Sequence, residues 1–471
     1  MAVISSPVYD PQTTAEKLAN AYVAPTKAIL DSRASKATAT VSALGTLGSA
    51  LSAFQSALQA LTTSTSGVAA NAATSSNTTI ATGTATATAV AGTYSFYVEQ
   101  LATAGQVSYN VNDSVAAGAG SLKVMLADGS NFQIDLATAD SNMDGSLSAK
   151  EIAAAINVAA SNNSRVTAST LTINGQPKLV LSSTQTGAAN AVASLDVSGL
   201  GDAALQSDLS TQKVETIAND AIVWMGDQNT GTKVTQASNT FSTIDNVKFT
   251  VKQAQLAGAT PVQLTVGPDS SATTANVQSF VDAYNKLLAV FKTVTAPGNH
   301  AATSTTDSTP QSPDAALYND SGVAALRATL GATLRNATGG RSLISFGITA
   351  ARDGTLTLDS TRLQKTIAAD PGKIDSLFGR AGLGVDSGVL GSMNKLVTTW
   401  TNSATGLIGG RKTAITRVQD DIAKRQVAVQ NQFDNAYKRY LAQFSALQQL
   451  QSSMTSTSNM FTAMFSSSSD N

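Results

Sequence analysis

Toward the C-terminus, apolar residues recur at Ile415, Val418, Ile422, Val429, Phe433, Tyr440, Phe444, Leu447 and Met454. The spacing stays close to three-and-four, with Arg425 and Ala436 in its two gaps, and predicts one long amphipathic helix. Lys412, Arg417, Asp420, Lys424, Lys438 and Arg439 fall mostly off that stripe. A second stripe, at Val41, Leu44, Leu47, Leu51, Phe54, Leu58 and Leu61, predicts a helix over 37–62. Two heptad segments so far apart in a chain pair either with each other or with copies of themselves, a layout of proteins that assemble. Residues 1–35 are weakly patterned. Leu18, Tyr22, Ile29 and Leu30 fit a helix that Pro11 and Pro25 interrupt, so residues 1–36 are expected to be flexible and helical only on assembly.

Between these ends the period changes to two. Tyr94, Phe96 and Val98 alternate with polar or exposed positions, as a half-buried strand does. Leu122, Val124 and Leu126 alternate, turn at Asp128-Gly129 and return through Phe132, Ile134 and Leu136, a hairpin with a type I′ dipeptide. A second hairpin turns at Asn174-Gly175, and Ile152, Ala155, Ile156 and Ala159 mark a short helix between the two. Val247, Phe249 and Val251 alternate, as do Val262, Leu264 and Val266, and a division of the β region is expected near Gly199–Lys213. Helical period resumes at Val277, where Phe280, Val281, Tyr284, Leu287, Leu288 and Phe291 form a wide apolar face. A polar loop from Pro297 to Pro313 and a helix over 320–335 follow. The predicted class is α+β and multidomain, with terminal α-helical coiled-coil legs bracketing inserted antiparallel β-rich domains. The expected segments are 1–36, the leg helix 37–67, the β-rich domain with its short helix 68–212, the β-rich segment 213–275, the helical and β leg 276–408, and the C-terminal coiled-coil helix and tail 409–471.

Composition changes this picture by exclusion. In 471 residues only 13% are charged, and the formal net charge is −1, so there is no basic surface to steer a nucleic acid or an anionic membrane. Cysteine is absent, and the domains must stand on packing alone. Met1 to Asp10 has neither a basic n-region nor an apolar h-region, which predicts export without a cleaved signal peptide. No stretch approaches the roughly 20 apolar residues of a membrane span.

Enzyme chemistry has little to stand on. The single histidine, His300, lies in a Pro/Gly/Ser/Thr-rich loop, so no Ser–His or Cys–His pair can form, and no phosphate-binding glycine loop appears. One segment matches a metal template: Asp140 to Glu151 fits the calcium loop D-x-[DN]-x-[DN]-G-x5-E. Oxygen ligands would come from Asp140, Asn142, Asp144, the Ser146 carbonyl, a water on Ser148 and bidentate Glu151, with Gly145 at the sharp turn. Asp144-Gly145 also reads as a plain turn, and Ser148-x-x-Glu151 as a capping box for the following helix. A structural calcium is the expectation that Asp140 and Asn142 favour; no cofactor is otherwise required.

The run from Phe346 to Gly379 carries a resemblance. Gly347, Ile348, Asp353, Gly354, Leu356, Leu358, Asp359, Leu363, Asp370, Pro371, Leu377, Phe378 and Gly379 fall on a pattern similar to the C-terminal module of the bacterial flagellar filament cap family, flagellar hook-associated protein 2. Phe280-Val281-Asp282-Ala283-Tyr284-Asn285-Lys286-Leu287 resembles its F-V-x-x-Y-N-x-L helix, and Gly92-Thr93-Tyr94-Ser95 to Gln100-Leu101-Ala102 one of its strands. Gly406-Leu407-Ile408 heads the long helix as in the family. The resemblance implies a scaffold at the flagellum tip, outside the cell, forming a pentamer-like or hexamer-like ring that retains exported flagellin while it folds and inserts. Implied partners are other copies of the chain, flagellin and an export chaperone, with host mucin as the partner of an alternative adhesin role and an axial junction component as a further alternative. The seam for these contacts is expected at Leu44, Leu47, Leu51, Phe54, Leu58, Ile415, Val418, Ile422, Val429, Phe433, Tyr440, Phe444 and Leu447.

Overall fold

The structure, a computed structural model, describes residues 10–62, 67–112, 115–116, 120–300, 312–335, 342–370, 372–382 and 386–466. The beginning of the expected flexible segment (1–9), the middle of the expected polar loop (301–311), Pro371 and the tail 467–471 lie outside the described residues. The chain divides into a helical unit, Met1–Thr63 with Thr274–Thr366 and Gly372–Asn471, and a β unit, Ser64–Thr273 with Ile367–Pro371.

The first helix, α1, runs unbroken over Pro11–Ala60, so the expected start at 37 is corrected and residues 11–36 belong to the same helix. Pro11 does not interrupt the helix but opens it. Asp10 caps the end, accepting from the N–H groups of Gln12 at 3.3 Å and Thr13 at 3.0 Å, and proline at the first helical position loses only an N–H that had no partner. Pro25 sits inside the helix on an exposed face. Its cost, about 3 kcal/mol, is offset by burial of Val23 and Leu30 on either side of it.

The β unit is antiparallel throughout. Strands β1 (Asn71–Ser75), β2 (Ala81–Ala85) and β3 (Gly92–Gln100) come first. An excursion follows, through β4 (Gln106–Asn110), β5 (Val115–Ala116), β6 (Ser121–Leu126), β7 (Asn131–Asp135), β8 (Ser146–Leu147), α2 (Ala149–Val158), β9 (Val166–Ile173), β10 (Gln176–Ser183), β11 (Val192–Asp196), α3 (Ala203–Ser210) and β12 (Lys213–Thr216). The chain then returns as β13 (Ala221–Met225), β14 (Thr232–Gln236), β15 (Thr240–Ile244), β16 (Val247–Val251) and β17 (Val262–Pro268).

Strand order explains the layout. The order β1-β17-β3-β13-β14 places β13 directly against β3, with Val98 opposite Val223. Residues between them have their own core, built on Tyr109, Leu122, Phe132, Ile152, Leu179 and Leu205, while the flanking strands share another, built on Phe96, Val223, Phe241, Phe249 and Leu264. The β region is therefore one domain inserted within another. The expected boundary near 199–213 falls inside the insert, because Leu205 and Leu209 of α3 pack in its core and β12 pairs with β4. The exit follows β12, and the entrance after β3 has no counterpart in the sequence reading.

Both hairpins form, with different turns. Asn174 (φ 52°) and Gly175 (φ 79°) are both left-handed, as type I′ requires. At Asp128-Gly129 only Gly129 is left-handed, at φ 84°, and Leu126 N–H donates to Ser130 O at 2.9 Å across three intervening residues. That is a type I turn closed by a glycine bulge, which corrects the type I′ expectation.

The chain continues with α4 (Ser270–Val294), α5 (Ser321–Arg335), a hairpin of β18 (Ile348–Ala350) and β19 (Leu356–Leu358), α6 (Ser360–Ala369), α7 (Gly372–Phe378), α8 (Gly388–Thr401) and α9 (Leu407–Ser466).

Candidate assembly surface

The two long helices run antiparallel against each other, one of the two pairings that the sequence leaves open. Gly48 faces Ile408, Gly45 faces Lys412, Gln419 donates to Thr38 at 3.2 Å and Gln426 to Asp31 at 3.1 Å. Val23 and Leu30 cluster with Ile422, Val429, Ala34 and Phe433. The helices approach closely where side chains are small: a Cβ on Gly48 would touch Ile408 at 3.4 Å.

The residues expected in the seam divide into three groups. Leu44, Leu47, Leu51, Phe54 and Leu58 are buried in the helical unit. Phe54 meets Tyr284 of α4 edge-on at 6.3 Å, and Gln55 beside it donates to Asn394 at 3.0 Å and Thr398 at 2.8 Å of α8. Ile422 and Val429 are buried, and Ile415, Phe433, Tyr440 and Phe444 are half-buried. Val418, 53% exposed, and Leu447, 45% exposed, lie outside any core. Arg425 fills its gap in the stripe by turning outward to Asp421, at 2.8 Å.

A stricter period runs beneath the expected one. Val23, Leu30, Ala37, Leu44, Leu51 and Leu58 fall at seven-residue steps and are all buried. Their counterparts Ile408, Ile422, Val429 and Ala436 are buried in the same phase, with Ile415 half-buried. The sequence reading names neither Val23 nor Ala37 and leaves Leu30 and Ala436 out of the seam, because prolines disfavour a helix interior and alanine carries little hydrophobic signal. Buried Ala15 and Ala19 extend the contact.

By this register α1 ends near Phe444. From Leu447 to Ser466 α9 continues without α1 beside it, roughly 30 Å of helix. Leu447, Leu450, Met454, Met460, Phe461 and Met464 are all exposed there, and Leu18, Tyr22 and Ile29 face outward from α1. Among the described residues α1 alone is long and apolar enough to cross a membrane, by length and composition.

The Asp140–Glu151 loop is closed by its own glutamate. Glu151 Oε2 accepts from the Ser148 N–H at 3.0 Å and hydroxyl at 2.9 Å, while the Ser148 hydroxyl accepts from Glu151 N–H, completing the capping box of α2. Its Oε1 accepts from the Ser141 N–H at 3.0 Å and hydroxyl at 3.1 Å. Asn142 accepts from Asp144 N–H, and Asp144 from the N–H and hydroxyl of Ser146. Asp140 Oδ2 accepts from Gly145 N–H at 3.0 Å, but its Oδ1 is buried without a partner. Among the described residues no three His, Cys, Asp or Glu side chains gather around one point. His300 pairs with Asp314 at 2.9 Å.

Hydrogen bonds from Ser148, N–H first and hydroxyl second, hold the Glu151 carboxyl at about 2, against an ordinary 4.5. A carboxyl lowered on folding stabilises fully above its unfolded value and loses that contribution as pH falls through the folded one. Stability of the β unit is therefore expected to drop between about pH 4.5 and 2 in wild type, and less in Glu151→Ala. At neutral pH that variant should lose about 1–2 kcal/mol in denaturant titrations.

Comparison with known proteins completes the description. Residues 218–456 match the family model for the flagellar hook-associated protein 2 C-terminus, and residues 8–105 that for its N-terminus. The chain belongs to the flagellar hook-associated protein 2 family. Lateral flagellar hook-associated protein 2 of Vibrio parahaemolyticus is 31% identical, covering 81% of this chain and 83% of its own. B-type flagellar hook-associated protein 2 of Pseudomonas aeruginosa is 32% identical, with coverage of 89% and 87%. Among solved structures, the D1-D2-D3 domains of the Escherichia coli flagellar cap protein FliD match at a TM-score of 0.59 and 26% identity, covering 79% of this chain and 99% of that one.

The residues shared with the hook-associated protein 2 pattern are framework. Asn285 of the F-V-x-x-Y-N-x-L helix accepts from Leu356 N–H and donates to its carbonyl, both within 2.9 Å, fixing β19 on α4. Asp353 turns the hairpin, accepting from Thr355 N–H at 3.0 Å and Lys292 at 2.7 Å. Leu377 and Phe378 are buried, with Phe378 edge-on to Phe280 at 5.4 Å.

Proposed function

We propose that this chain caps the distal end of a flagellar filament as a ring of five or six copies, retaining exported flagellin and promoting its folding and insertion. The observation that carries this reading, beside family membership, is the stretch of α9 beyond α1, where Leu447, Leu450, Met454, Met460 and Phe461 are exposed. A run of exposed large apolar side chains along one helix is costly in water and marks a surface that another molecule covers. In a ring, that run and the outward Leu18, Tyr22 and Ile29 would meet neighbouring copies and flagellin. An export chaperone would cover the same run before assembly. Absence of cysteine and scarcity of charge suit passage of an unfolded chain through a narrow channel.

Immunogold electron microscopy of intact flagella, with antibody raised against residues 68–275, tests the reading. Label is expected at the distal tip only; label along the shaft or at the base overturns it in favour of a filament or junction subunit.

Calcium is a separate proposal and rests on the buried, unpartnered Asp140 Oδ1. Binding would draw Glu151 away from Ser148 and Ser141, so the affinity would be weak, about 10⁻⁴–10⁻³ M. Melting the full chain in calcium and in chelator reads it: an upward shift that Glu151→Ala removes is expected, and identical melts of wild type discard the site.

A further inference from the structure

Strand β9 is the outer strand of the sheet ordered β12-β4-β10-β9. Its register against β10 pairs Ile173 with Gln176 and Leu171 with Lys178. Antiparallel alternation then turns the backbone groups of Val166, Ala168, Thr170 and Thr172 away from the sheet. Two asparagines fill the first half of this edge. Asn162 accepts from Val166 N–H at 2.9 Å and donates to its carbonyl at 2.8 Å; Asn157 makes the same pair with Ala168, both at 2.8 Å. Among the described residues nothing bonds the outward groups of Thr170 and Thr172. Leu171 beside them is 51% exposed and Ile173 40%.

An edge of this kind is usually guarded by a lysine, a proline or an inward charge. The segment Val166–Ile173 carries none of these. We infer that the open half of β9 is a strand-addition edge for the same strand of a second copy of this chain. Centring an antiparallel pair on Leu171 sets Thr170 opposite Thr172 of the other copy, and Thr172 opposite its Thr170. These are the residues whose N–H and C=O groups are free, so both sets of bonds close in one register. Leu171 then lies beside its own counterpart at a non-hydrogen-bonded position, where side chains approach most closely, and two half-exposed leucines cover each other.

Charge sets no barrier. The nearest cation, Lys178, lies one strand further back, so its two copies stand roughly 14 Å apart, beyond a Debye length of about 8 Å. A charged partner strand would find nothing to pair with. The contact is two-fold and closes on itself, joining copies in pairs and not propagating around a ring. It is too short for a stable dimer on its own. Neighbours in a cyclic ring share no two-fold axis, so it joins a copy in one ring to a copy in another, where several such contacts add. It depends only on β9, so its test stands apart from the tip-labelling test of capping.

Because the chain has no cysteine, single substitutions in the full-length protein read the register. Non-hydrogen-bonded antiparallel pairs bring Cα atoms to about 4.5 Å, within disulfide range. Under mild oxidation Leu171→Cys is expected to shift to a disulfide-linked dimer on non-reducing gels. Ile173→Cys should not link to itself, yet should link to Ser169→Cys when the two are mixed. Adding Thr170→Pro, which removes an outward N–H, should suppress the Leu171→Cys dimer. The inference is overturned if Leu171→Cys links no faster than Ile173→Cys, or if Thr170→Pro leaves its rate unchanged. All four positions are exposed, and unchanged melting of each variant confirms that the fold is retained.

Discussion

Phe249→Ala is expected to cost the β unit most of its stability while leaving the helical unit untouched. Phe249 is fully buried and stacks between Phe96 at 4.6 Å and Phe241 at 5.2 Å. Phenylalanine-to-alanine changes in cores cost about 3–5 kcal/mol, and each lost aromatic pair is worth about 0.5–1.5 kcal/mol beyond area. Against a typical domain stability of about 5–15 kcal/mol the sum is decisive. The chain has two tryptophans, Trp224 in the β unit and Trp400 in the helical unit, so single-tryptophan variants report each unit separately. The Trp224 transition in denaturant should move to much lower concentration and the Trp400 transition should stay. Equal displacement of both would mean that the units unfold as one.

Gly347→Val should do comparable damage to the helical unit. Gly347 ends a short 3-10 turn at φ 81°, a conformation that costs a side-chain-bearing residue about 1–3 kcal/mol. A Cβ there would stand 2.5 Å from the Asp359 carbonyl oxygen, which is backbone and cannot swing away. Strain and collision together predict a loss of at least about 3 kcal/mol, read from Trp400. Gly354→Ala is the comparison. Its φ is 89°, yet its nearest neighbour would be Leu288 at an ordinary 3.6 Å, so only the strain of about 1–2 kcal/mol applies. Equal losses in the two variants would remove collision as the cause.

Local pattern carried the sequence reading where one element decides its own structure. Alternation at Leu122–Leu126 and Phe132–Leu136, the Asn174-Gly175 turn and the Ser148–Glu151 capping box are all present as read. The misreadings arise where distant residues decide. Pro25 looks like a helix breaker until Ile422 and Val429 are placed against Val23 and Leu30. The entrance to the inserted domain is invisible because it depends on β3 pairing with a strand more than a hundred residues later. Val418 fits a three-and-four stripe but not the seven-residue phase of Ile408, Ile415, Ile422, Val429 and Ala436, and it faces water. In the Asp140–Glu151 loop the template matches the residue types, but what the Glu151 carboxylate bonds is settled by Ser141 and Ser148.

Antiparallel pairing of the first and last helices also fixes an order of events. Thr38 and Gln419, in contact across the seam, are 381 residues apart in the chain. Closing so long a loop costs about 5 kcal/mol of chain entropy before any contact repays it. A chain made from its N-terminus leaves the Val23–Ala37 part of α1 without its partner until α9 exists, which follows every other described helix. During that interval Val23, Leu30 and Ala37 have only solvent or other proteins to meet. The nascent chain is therefore most vulnerable to exchange between molecules, with the α1 of one copy taking the α9 of another, in the time before its own α9 is made.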